Sequence, residues 1–221
     1  MLAMSMVAFG GVPARAADEA FDVDDYLDIL RDALTPAAAG LFENVRHELR
    51  ATARPLPDRV RSRLRPFFDG VRRDGVPLTA DVLDRARYTV DAPAARELFA
   101  LTPTRVAAIT VGDVLAFAPG EYRPDCIEGV ALIAHELVHV AQYAALGRDR
   151  FLDRYFLKET LQRQLGSGSR GTADSDENAL EVAAYCHQAA VCRALARARE
   201  LRACGGREEP VCPACPSRYG R

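Results

Sequence analysis

Residues 135–139 read His-Glu-Leu-Val-His, inside an apolar run from Gly129 to Tyr143. On a helix, His135 and His139 leave the same face one turn apart. Two neutral imidazoles placed that way can reach one zinc ion at about 2.0–2.1 Å. Glu136 then stands beside the first ligand, where a carboxylate can take a proton from a metal-bound water, the arrangement of a zinc metallopeptidase. The pattern carries this meaning only on a helix, and the flanking residues predict one. Val130, Ile133, Ala134, Leu137, Val138 and Ala141 recur at helical spacing as a core stripe. Asp125 with Glu128 three residues on suggests a capping box, and Gly147 a stop.

A catalytic zinc site needs a third protein ligand and an open position. The chain has four histidines. His47 lies on a charged helical face and reads as solvated. A long Ala-rich helix is expected from about Ser175 to Cys204. Within it Glu181 sits among Leu180, Val182, Ala183 and Ala184, where an unpaired carboxylate would be costly to bury and a metal would resolve that cost. Glu177, one turn earlier, is an alternative, although an acid in a first turn is favoured there by the helix dipole anyway. His187, or no third ligand at all, stays open.

Composition narrows the rest. A net charge of -2 over 221 residues gives no reason to expect nucleic acid or an anionic membrane as partner. Trp is absent and aromatics make up 7%, which disfavours a stacking platform. No apolar run suggests a membrane span. The N-terminus is apolar up to Ala14-Arg15-Ala16, an A-x-A-like cleavage site, so residues 1–17 read as a signal or leader and export is expected. Six cysteines, Cys126, Cys186, Cys192, Cys204, Cys212 and Cys215, then imply disulfides. Cys186 and Cys192, six residues apart on one helix, are too far apart to pair with each other. Each should reach the tail cysteines or Cys126. Cys212-Pro-Ala-Cys215 has the spacing of half a zinc knuckle or a redox pair, but a disulfide-tied tail is the simpler reading.

Along the chain, residues 22–52 carry helical patterns broken at Pro36, and a short helix from Asp58 to Phe68 is capped by Asp58. Arg87–Val90 reads as a strand. Val106 to Pro119 reads as a hairpin turning at Gly112-Asp113. An edge strand beside the metal helix commonly receives an extended peptide in zinc peptidases. Arg148 to Leu165 is expected to be helical, and Gly166 to Thr172 a loop.

Pro55-Leu-Pro57, Ala108 to Gly112, Phe117 to Tyr122, the helix Glu128 to Gln142 and Leu146-Gly147 together resemble a bacterial family of zinc metallopeptidase-like domains, gluzincin-like and HExxH-containing. Its members are often catalogued as a domain of unknown function and are found beside polymorphic toxins and extracellular contractile injection systems. The likeness extends over roughly residues 53–190, through Arg150 to Tyr155 and Asn178 to Ala184. It implies His135, His139 and Glu181 on zinc and Glu136 as base. This chain departs from the family at Ala183, where relatives often carry an acid, at Tyr185, four residues after Glu181, and in its cysteines.

The expectation is therefore an α+β, zincin-like single domain, mostly helical, with a small sheet and hairpin before the HExxH helix. A leader (1–17) and an N-terminal helical region (18–52) precede the metallopeptidase domain (53–203), and a Cys-rich tail (204–221) follows it. Zinc would activate water against a peptide bond, with Glu136 as general base and Tyr155, Tyr185 or His187 as oxyanion donors. The rival is a non-catalytic zinc-binding or structural accessory of a secretion or toxin system. Partners would be a peptide or protein substrate, or a toxin or secretion-system protein.

Overall fold

The computed structural model describes residues 39–73, 75–101, 106–157 and 179–216. The leader, the pattern before residue 39, Glu177 and the loop at 166–172 lie outside the described residues. The fold is α+β, a small sheet set among helices. Helix α1 (39–52) leads to β1 (Arg54–Pro55), α2 (Asp58–Phe68), β2 (Val71–Arg73), β3 (Val76–Leu78), α3 (Asp81–Arg85), β4 (Arg87–Val90) and α4 (Pro93–Leu101). The hairpin β5 (Ala108–Val111) and β6 (Val114–Phe117) precedes α5 (Ile127–Leu146) and α6 (Arg148–Leu152). A π-helical turn, Asp153–Leu157, follows α6, and the last long helix is α7 (Ala179–Ala198).

The main sheet has the order β1-β4-β6-β5. Strand β6 pairs parallel with β4 and antiparallel with β5, with Val111 opposite Val114. The two-residue turn is therefore Gly112-Asp113, as expected, and Gly112 has φ +66°, which glycine reaches without strain. Arg46 and Arg50 of α1 both bind the Asp113 carboxylate and clasp the turn. All four residues of β6 are buried, because helices cover both faces of the sheet. Leu115 and Phe117 face a core made with α2, β3, α3, α5 and α7. Val114 and Ala116 face a second cluster with Ala39, Phe42 and Leu49 of α1 and Ala94 and Ala95 of α4.

Helix α5 runs through the centre. Its residues from Ile133 to Gln142 are all buried, so it is enclosed on every side rather than along one stripe. By length and composition it could cross a membrane, but most of it lies inside the fold, and it carries both motif histidines and Glu136.

Two expected caps differ. Pro57 precedes α2 and its carbonyl accepts from the N–H groups of Val60 and Arg61, while Asp58 is the first helical residue and pairs with Arg61. No side chain caps α5. Asp125 pairs instead with Arg59, and Glu128 faces the C-terminal segment. Gly147 does end α5, with φ +78°. The expected helix after Gly147 is α6 plus the π-helical turn as far as it is described, and α7 ends at Ala198, six residues before Cys204.

The C-terminal segment is strapped across α5 and α7. Disulfides join Cys126 to Cys204, Cys186 to Cys215 and Cys192 to Cys212. Cys212 and Cys215 thus belong to two separate bridges and form neither a redox pair nor half a zinc knuckle. The Glu128 carboxylate accepts the N–H groups of Cys204 at 2.7 Å and Val211 at 3.1 Å. Burial would raise this carboxyl, but those bonds prevail and hold it below its ordinary value.

Gly129 explains how the loop before α5 sits so close. A Cβ there would come within 1.9 Å of the Arg123 carbonyl oxygen. Gly129→Ala should therefore destabilise the protein by about 1–3 kcal/mol, the usual cost of overpacking, despite alanine's better helix propensity. Thermal denaturation checks this: a melting temperature at or above wild type would show that the loop moves aside freely.

Candidate metal centre

His135 and His139 project from the middle of α5 toward the first turn of α7, which carries Glu181. His135 Nε2 and His139 Nε2 are 3.1 Å apart. His135 Nε2 lies 3.4 Å from Glu181 Oε2, and His139 Nε2 lies 3.4 Å from Glu181 Oε1. Ligands held at 2.0–2.1 Å around a tetrahedral zinc are separated by about 3.3 Å. The three edges agree with that spacing, so the residues fit the ion. Both imidazoles are almost wholly buried, while the Glu181 side chain keeps about a quarter of its surface exposed, leaving an open side.

Further residues fix this arrangement. His139 Nδ1 lies 2.8 Å from Gln142 Oε1, and Gln142 Nε2 donates to the Leu180 carbonyl at 2.9 Å. With its amide oxygen turned to the ring, Gln142 accepts the Nδ1 proton and leaves Nε2 unprotonated toward His135 and Glu181, where it could face a metal. The same side chain ties α5 to the residue before Glu181. Thr110 of β5 donates to Glu136 Oε2 at 2.6 Å and approaches the Glu136 carbonyl at 3.1 Å. Tyr155, in the π-helical turn, donates to Glu181 Oε1. Tyr185 packs edge-on against His135, with ring centres 4.7 Å apart, and is 43% exposed.

Sequence reasoning missed Gln142 and Thr110 as site residues. A glutamine three residues after His139, on the same predicted helix, was a usable signal for the first. Thr110 could be found only by knowing that its strand lies against α5. Of the alternatives for the third ligand, His187 is not among the atoms that converge with His135 and His139. It packs against Phe68, with ring centres 4.9 Å apart. His47 is exposed, as expected.

The charges suit a cation site. Burial would raise the Glu181 carboxyl, but hydrogen bonds and charge from His135 and His139 prevail and hold it far below the usual carboxylate range. Burial would lower the His139 ring, but the Glu181 hydrogen bond and charge, with Glu136 and Gln142, raise it. A metal at these atoms would displace a proton from His139, so its affinity falls as pH falls.

Residues 55–147 match the family model of the eCIS core domain. In that description eCIS stands for extracellular contractile injection system. The match covers somewhat under half of the chain. It takes in the sheet apart from Arg54, together with His135, Glu136 and His139, and ends at Gly147, before Glu181. No curated protein and no solved structure gives a significant match.

Proposed function

We propose that this chain is a zinc-binding module associated with an extracellular contractile injection system, exported and held by its disulfides. The observation that carries the metal reading is that the ligand atoms of His135, His139 and Glu181 all lie within 4.8 Å of one another. The match at residues 55–147 supports the association. The three disulfides support an oxidising compartment.

A second reading, hydrolysis of a peptide bond, is favoured by Glu136. A structural zinc site closes its coordination with protein ligands and has no use for a buried base beside an open side. A bound zinc supplies Lewis acidity and an acidified water. With Thr110 on Oε2, Glu136 Oε1 is the oxygen left to take a proton and pass it to a leaving amine. Strand β5 is the sheet edge beside α5. Its register with β6 turns the main chain of Ala108 and Thr110 away from the hairpin, where an extended peptide could add as a strand.

The test is cleavage of an unfolded protein substrate by zinc-loaded chain. On the hydrolytic reading, Glu136→Gln keeps its zinc and its fold and loses at least about 100-fold in rate, because an amide cannot accept the proton. Zinc-loaded wild type that cleaves no better than Glu136→Gln would leave the accessory reading standing alone.

A further inference from the structure

The two ligand histidines are held unequally. Gln142 receives the Nδ1 proton of His139, but His135 Nδ1 is buried with no hydrogen-bond partner among the described residues. When Nε2 of a neutral imidazole faces a metal, Nδ1 carries the proton and needs an acceptor. Three more buried nitrogen atoms share this condition: His187 Nδ1, His187 Nε2 and Arg73 Nε. His187 is six residues after Glu181 on α7, 2% exposed, with Phe68 closing one side. Burial, then the charge of Arg73, then that of His135 push its ring down to about 3, so it stays neutral and keeps a lone pair at ordinary pH. The elements that carry these residues pack against one another: α7 lies against α5 and β2, α5 lies against β3, and Phe68, on which His187 rests, ends α2 just before β2.

Resting on the metal reading above, we propose that His187 is the positioning residue for His135. It accepts the Nδ1 proton through one buried water, as Gln142 accepts that of His139 directly. His135 Nδ1, a His187 nitrogen and Arg73 Nε would give that water three partners, the usual number for a buried one. This explains how the site does without an acid at Tyr185: the supporting group comes from two residues further along the same helix.

The experiment titrates metal-stripped, full-length protein with Zn2+ against a competing chelator, and melts each metal-free variant. His187→Leu should bind zinc about 10-fold more weakly, the loss typical of a group that orients a ligand, with no fall in metal-free melting temperature, since leucine leaves no unpaired polar atom. His187→Gln, which keeps an acceptor, should recover most of the affinity. Two results overturn the proposal: wild-type affinity in His187→Leu while Gln142→Leu binds more weakly, or a His187→Gln as weak as His187→Leu, which would mark a packing effect. Should His187→Leu melt lower, rescue by glutamine decides. Zinc binding that survives His139→Ala would instead refute the metal centre itself, and this inference with it.

Discussion

His139→Ala protein should leave purification with almost no zinc, while wild type should carry about one ion per chain. His139 faces His135 Nε2 and Glu181 Oε1 through the same nitrogen and is held from behind by Gln142. Without it two ligands remain, one of them a partly exposed carboxylate, which is too few for a stable site. The fold should survive, because α5 is enclosed by apolar neighbours on all sides. Glu181→Gln should retain some zinc but bind it about 10-fold more weakly or worse. Elemental analysis of freshly purified protein, with circular dichroism to confirm folding, reads both effects. Full zinc content after replacing both His135 and His139 would place the metal elsewhere.

The second large effect concerns the disulfides. Native protein should show no free thiol on titration under denaturing conditions without reductant, since all six cysteines are paired. The bridges span separations of 78, 29 and 20 residues. Chain entropy assigns loops of those lengths about 3–5 kcal/mol each, less than additively because they interleave. Losing all three approaches the total stability of an ordinary domain. A phosphine reductant should therefore lower the melting temperature by more than about 10 °C. It should also weaken zinc binding, because the C-terminal segment fixes the start of α5 against the helix that carries Glu181. Six free thiols in protein recovered from its own host would contradict both the bridges and the exported location.

Much of this site was legible in the sequence. The helical spacing of His135 and His139 and the Gly112-Asp113 turn follow from local chemistry, and the structure has both; Glu181, singled out by its apolar sequence neighbours, lies within 3.4 Å of both histidines but on a partly exposed side. The direction of the cysteine bridges followed from geometry too, because six residues along a helix separate Cys186 from Cys192 too far to pair. What local pattern could not supply is contact between distant segments. Glu128 has the spacing of a capping residue, yet its carboxylate takes two N–H groups from a segment more than seventy residues later. Thr110 is an ordinary strand residue until the sheet brings it to Glu136. Asp58 was misplaced by one position because Pro57, with its fixed φ, occupies the cap.

The most direct measurement is X-ray absorption at the zinc edge on protein loaded with one equivalent of the metal. The ligand set of His135, His139 and Glu181 predicts two imidazole nitrogens and one carboxylate at about 2.0–2.2 Å, with a further light atom from solvent and no sulfur. A sulfur shell near 2.3 Å, or a spectrum unchanged in His139→Ala, would contradict it.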